Sequence, residues 1–228
     1  MLVKNPGFLL IMTEIELLQS AFSTQRMSKY LRYHHDDSAA AIQHYKANIR
    51  LAESFYTSLS VFEVVLRNAL STELVAMTGR EDWYAEFSIN PRLKNLNVEI
   101  AQAVHHIQER GEMVYPDKVV SELTFGFWVM LLNSQYEMVL WKALRKAFPY
   151  MPKNVRQRKN VSTPCNILRK LRNRIFHHEA ICWDLGYVNK IHTDLMTVLG
   201  WINKDMPSWL ATIDHFDATW QSVCREMR

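Results

Sequence analysis

Cysteine is nearly absent. Cys165, Cys182 and Cys224 are the only three in 228 residues, too scattered and too odd in number for a disulfide framework or a CxxC pair, and they fit a reducing cytoplasm. Glycine and proline are also scarce, six and seven. That excludes a many-turned β architecture and favours long helices with short connections. No apolar run approaches the roughly 20 residues of a membrane span; the longest, 125–132, is short and holds a glycine. The run at 8–12 is too short for a signal-peptide core, and Thr13-Glu14-Ile15-Glu16 follows it at once, so Met12 is a second candidate start. What remains is 48% hydrophobic and 22% charged, globular values in a chain long enough to bury one core.

The patterning predicts an all-α single domain: an N-terminal helical arm (1–37), a core (38–185) and C-terminal helices (186–228). Thr13 with Glu16 is a capping box that opens an amphipathic helix to about residue 33. His34-His35-Asp36-Asp37 reads as a solvated turn, and Asp37 or Ser38 caps a long helix that Gly79 ends. In that helix Phe55, Leu59, Phe62, Leu66, Ala69 and Leu70 form one stripe. Glu63 and Arg67 lie beside it as an i, i+4 pair, with Asn68 farther round. Asn90-Pro91 opens a helix to about 110. Residues 120–132 read as one buried helix, and 134–148 as another. Thr163-Pro164 opens a helix that Gly186 ends, and two more follow, at 187–203 and 208–227. His105-His106 lacks any partner spacing for zinc, so no metal or other cofactor is expected.

Charge is unevenly distributed. Between Glu137 and Glu179 there is no acidic residue but eleven basic ones, leaving 16 Lys and Arg against 23 Asp and Glu elsewhere, a net of −7. One basic segment in an otherwise acidic chain points at a polyanion. Lys153, Arg156, Arg158, Lys159, Arg169, Lys170 and Arg174 are the candidate contacts.

Within this segment lies LRKLRNRIFHHEAICW, residues 168–183. On a helical wheel Ile167, Leu168, Leu171, Ile175 and Cys182 form the apolar arc. Arg172 sits on its margin, while Asn173 and His177 share a flank. His178 and Glu179 fall within the arc and are expected to be buried, with Glu179 paired to Arg172 or Arg67. Arg172, Asn173 and His177 are the candidate catalytic set. A histidine can move the proton of a ribose 2′-OH that attacks the adjacent phosphate. An arginine fork can hold the phosphoryl oxygens, and an asparagine can position phosphate or histidine. DNA lacks that internal nucleophile, so the set favours RNA. Arg172 and His177 are about 140° apart on an ideal helix, a geometry that a site shared across a two-fold dimer resolves.

RNRIFH (172–177) resembles the Arg-x4-6-His signature of HEPN domains in its Arg-Asn-x3-His form. FEVVLRNAL (62–70), ELTFGFW (122–128) and LRNRIFHHEAI (171–181) together resemble the Abi-like branch associated with bacterial abortive infection. The resemblance implies a helical HEPN-like bundle, usually a homodimer and often a metal-independent endoribonuclease of phage defence or toxin–antitoxin systems. It assigns Arg172 and His177 as the signature pair and Asn173 as the polar follower. Glu63, Arg67, Asn68, His178 and Glu179 are the supporting candidates. Phe176 is bulkier than expected before the histidines. RNA and a protein or RNA antitoxin are the implied partners. The alternative is a non-catalytic RNA-binding or scaffold member of the same family.

Overall fold

The computed structural model describes residues 13–227 and is all-α, 76% helical, with no strand among the described residues. The run at 8–12 and the alternative start at Met12 lie outside them. Helices α1 (Glu14–Phe22) and α2 (Thr24–Tyr33) lead into α3 (Ser38–Thr78). Then come α4 (Ala85–Ile89), α5 (Asn97–Glu109), α6 (Pro116–Glu122), α7 (Phe125–Met130), an unevenly wound stretch over 134–147 containing α8 (Lys142–Leu144), and α9 (Arg158–Phe176). The chain closes with α10 (Leu185–Ile202), α11 (Met206–Leu210) and α12 (Phe216–Glu226). No helix among the described residues is long and apolar enough to cross a membrane.

Everything is built on α3, 41 residues long and so about 60 Å from end to end. Both ends are fixed by side-chain and backbone chemistry. The carboxylate of Asp37 accepts from the N–H groups of Ala39 and Ala40 (2.9 and 3.1 Å). At the other end Gly79 turns left-handed (φ 72°) and donates to the Val75 carbonyl. Ala47, Leu51, Phe55, Leu59, Phe62, Leu66, Leu70 and Leu74 recur every three or four residues and are all buried; Ala69 is only partly so. Helices α7, α8, α9, α10 and α12 pack around this stripe.

The C-terminal helices pack into the same core as the segment before them. Val188, Leu195, Leu199, Phe216 and Val223 share one apolar cluster with Phe62 and Leu168. Helix α12 is pinned along α3 by the Arg50 guanidinium, forked on Glu226 at 2.7 and 2.9 Å. The arm has a smaller cluster of its own, where Met27 and Tyr30 pack on Ala41 and Tyr45.

Several expected helices are interrupted, each by a local hydrogen bond that competes with the helix ladder. The capping box at Thr13 and Glu16 forms, but its helix stops at Phe22. Ser23 adopts φ 89° and caps α2 through Arg26 N–H (3.3 Å). The 120–132 segment breaks at Leu123–Thr124. The Thr124 hydroxyl accepts from Phe127 N–H (3.2 Å), and the freed Leu123 carbonyl accepts from the Trp128 indole (3.3 Å). Asn90 holds a turn by accepting from Arg92 N–H (3.0 Å), so that helix begins at Asn97. The final segment splits into α11 and α12 at Asp214, whose Oδ1 accepts from Phe216 N–H (3.2 Å) while its Oδ2 meets Nε2 of the buried His192 at 2.6 Å.

Candidate active site

Helix α9 carries the basic motif, with both ends displaced from expectation. It begins at Arg158, six residues before Pro164, which therefore sits inside the helix. It ends at Phe176, ten residues before Gly186. His177 is the C-cap, its N–H donating to the Asn173 carbonyl (2.9 Å). His178 then takes a left-handed conformation, φ 56°. Its N–H donates to the Ile175 carbonyl and that of Glu179 to the Arg174 carbonyl (2.9 and 2.8 Å). These two bonds make a Schellman ending with histidine in the place usually held by glycine.

That ending corrects the helical-wheel reading beyond Phe176. His178 and Glu179 are exposed, not buried, because they lie past the helix. Glu179 pairs with Arg174 (3.5 Å) rather than with Arg172 or Arg67. The chain dives inward only afterwards, burying Ile181 and Cys182. Two polar residues on the buried face of α3 receive it. Asn48 Oδ1 accepts from Ile181 N–H (2.7 Å), and His44 Nε2 donates to the Cys182 carbonyl (3.2 Å). With His44 Nε2 protonated, its Nδ1 accepts from His34 Nε2 (2.9 Å), so His34 is not part of a solvated turn. Trp183 packs against the rings of Tyr30, Tyr33 and His44. Neither Asn48 nor His44 was among the expected supporting residues. The available signal was their register: 44 and 48 continue the three- and four-residue spacing of Leu51 and Phe55, where a polar side chain must find a partner.

Of the catalytic candidates, Asn173 and His177 are exposed and Arg172 is half-buried at the seam of α3 and α9. Arg172 Nε lies 3.9 Å from the Glu63 carboxylate, beyond hydrogen-bond reach, and has no other partner. Its guanidinium carbon stands 4.4 Å from the centre of the Phe176 ring, a cation–π contact. The i, i+4 pair expected within α3 is not formed. Arg67 Nε instead donates to the Oδ1 of Asn68 (3.2 Å), and Glu63 turns to α9.

The basic candidates divide in two. Lys153, Lys159, Lys170 and Arg174 are exposed and Arg169 half-buried. Arg156 and Arg158 are tied internally. Arg156 donates to the carbonyls of Pro149 and Met151. Arg158 donates to the Leu132 carbonyl (3.0 Å), the Ser162 hydroxyl (2.7 Å) and Glu137 (2.8 Å). Each therefore has an architectural role, and each keeps donors that these bonds do not use; Arg156 also lines a surface cavity with Arg145, Lys146 and Lys153.

Beside the motif lies an apolar groove of about 770 Å³, and Phe22, Ile49, Tyr56 and Phe176 reach into it. These four side chains are between 46% and 64% exposed, an apolar surface of the kind that marks an interface. Burial pushes the thiols of Cys165 and Cys182 up to about 12, which removes both as nucleophiles near neutral pH. His105 pairs with Glu109 and His106 with Glu122. No group of three or more His, Cys, Asp or Glu among the described residues is arranged to hold a metal ion. No family model, curated protein or solved structure gives a significant match to this chain.

Proposed function

We propose that the chain is a HEPN-type endoribonuclease that acts as a two-fold homodimer and uses the ribose 2′-OH as nucleophile. His177 moves the proton, Arg172 steadies the phosphoryl oxygens, and Asn173 positions the phosphate. The observation that carries this reading is the exposure of Asn173 in the last turn of α9 and of His177 at its C-cap, close to a half-buried arginine whose nearest carboxylate among the described residues, Glu63, is 3.9 Å away. The apolar groove at Phe176 supports a second copy as the occupant. Phe176 touches both Arg172 and that groove, so a two-fold partner docked there approaches the motif. The sequence resemblance to the Abi-like branch supports a role for such an enzyme in phage defence or beside an antitoxin.

The test is cleavage of single-stranded RNA in EDTA. Wild-type protein is expected to cut and to leave a 2′,3′-cyclic phosphate, and His177→Ala to lose about 10²–10⁴-fold in rate, the usual contribution of general acid–base catalysis. Chelator-sensitive cleavage, or full activity without His177, overturns the reading.

One observation favours a non-catalytic RNA-binding or scaffold protein instead. The Phe176 ring covers one face of the Arg172 guanidinium and Glu63 faces its Nε, which narrows the arginine's access to a phosphate. Under that reading His177→Ala leaves RNA affinity unchanged and no cleavage is seen with either protein.

A further inference from the structure

On the far side of the post-motif turn is a second cavity, about 460 Å³, between α2 and residues 178–183. Arg26, Lys29, Arg174 and His178 supply its cationic wall, and Tyr30 and Trp183 its aromatic one. Two of the cations are held in place by backbone. Arg26 Nη1 donates to the His178 carbonyl at 2.6 Å, and Arg174 Nη2 donates to the Ala180 carbonyl. Each guanidinium has five donors, so both keep several for a ligand, and their side-chain entropy is spent before one arrives. The one carboxylate in the wall, Glu179, is 3.5 Å from Arg174. Among the described residues Arg26 and Lys29 have no carboxylate partner, and Lys29 is exposed. Three permanent positive charges thus meet one negative charge in a concave site large enough for a nucleotide.

We infer that this cavity is a subsite for the RNA strand, taking the phosphate of a nucleotide next to the one at His177, with its base against Trp183. Position follows from covalent geometry. His178 lines the cavity, and its Cα is about 3.8 Å from that of His177. His177 is exposed one residue before the cavity wall and lines neither the cavity nor the apolar groove, so a strand that reaches both passes over the His178 turn. The ligand class follows from chemistry, because guanidinium forks match phosphate oxygens and aromatic side chains stack unpaired bases. The inference rests on RNA being the ligand of the motif face.

The experiment measures binding of a labelled single-stranded RNA oligonucleotide by fluorescence anisotropy across a salt series. The protein is the full chain carrying His177→Ala, so that binding is read without cutting. Lys29→Gln and Arg26→Gln are each expected to weaken binding by about three- to tenfold, and to flatten the log–log salt slope by about 0.7, the contribution of one phosphate contact to a single strand. Arg26→Gln also removes the tie to His178, whereas Lys29 contacts nothing that folding needs. A loss in Lys29→Gln at unchanged melting temperature is therefore a loss of ligand contact. Unchanged affinity and slope in both variants overturn the subsite, as does a loss confined to binding of inorganic phosphate, which marks a free-anion site. The two readings fail separately. If wild-type protein cuts no RNA but Lys29→Gln weakens binding, the nuclease falls and the subsite stands. If cutting depends on His177 but Lys29→Gln binds RNA like its parent, the subsite falls alone.

Discussion

The Glu63 carboxylate of α3 faces the Nε of Arg172 on α9 at 3.9 Å, and this pair joins the longest helix to the motif. Each side chain is about one-third exposed, so the attraction is partly screened and worth at most about 1 kcal/mol. Its value lies in aim. With Phe176 on one face and Glu63 along its edge, the guanidinium has one remaining open direction.

Glu63→Gln is therefore expected to lower the melting temperature by no more than about 4 °C, the shift that about 1 kcal/mol produces in a chain this size. RNA cleavage is expected to fall more, by about tenfold, with Glu63→Asp recovering part of it. A proportionate loss of stability and cleavage, with no recovery by aspartate, shows a structural role only.

His178 is a histidine in a glycine position. A non-glycine residue at φ 56° costs about 1–2 kcal/mol, and glycine avoids that cost while adding about 0.5–1 kcal/mol of unfolded-chain entropy. His178→Gly is expected to raise unfolding stability by up to about 1 kcal/mol, and His178→Val to lower it by more than that, because a branched Cβ is disfavoured there. Urea titrations of the three proteins give the order. A destabilised glycine variant contradicts the Schellman ending.

That ending also explains what the sequence made legible and what it concealed. Helix α3 was readable because every signal agreed: Asp37 before it, Gly79 after it, and an apolar stripe of constant register between. The end of α9 was not, because a helix stop is read from glycine and the nearest is Gly186. Extending the wheel those extra residues wrapped His178 and Glu179 into the core. The internal ties of two arginines were hidden for a related reason. Charge is visible in a sequence, but the carbonyls of Pro149, Met151 and Leu132 that Arg156 and Arg158 bind are brought within reach only once loops are placed. Arg172 and Asn173 lie before the break and His177 at it, as the C-cap, so their places at the edge of the packed face were legible.

Two groups give stability separate pH windows. Burial holds the His44 imidazole below its ordinary value of 6.5, against the opposing hydrogen bond to Cys182. The unfolded chain binds that proton first, so the contribution is complete above about 6.5 and declines as pH falls below it. The hydrogen bond from Arg50, with one from Ser222, holds the Glu226 carboxyl at about 2, against an ordinary 4.5. Its contribution is complete above 4.5 and is lost as pH falls toward 2. Urea midpoints from pH 8 to 3 are expected to fall in two steps. His44→Gln should remove the upper step and Glu226→Gln should shrink the lower, to which Asp82, Glu112 and Glu122, also held low by their cationic partners, contribute; if each variant merely offsets the whole curve, the assignment fails.

The proposed dimer makes the most exacting prediction. Tyr56, the most exposed of the four groove side chains at 64%, loses favourable burial if replaced by a charge. Tyr56→Asp is expected to shift the protein from dimer to monomer by light scattering and to cost at least tenfold in cleavage. Monomeric wild-type protein at micromolar concentration contradicts the dimer. The arrangement of the site within a dimer can be read from mixed subunits. Arg172 and His177 lie about 140° apart around the helix, so a composite site takes arginine from one protomer and histidine from the other. Co-refolded Arg172→Ala and His177→Ala chains then form heterodimers in about half the population. In an isologous pair, each heterodimer holds one intact site and one doubly deficient site. Activity should return to about a quarter of wild type, although each variant alone is inactive. If both groups act within one chain, every site in the mixture lacks one of them and nothing is restored.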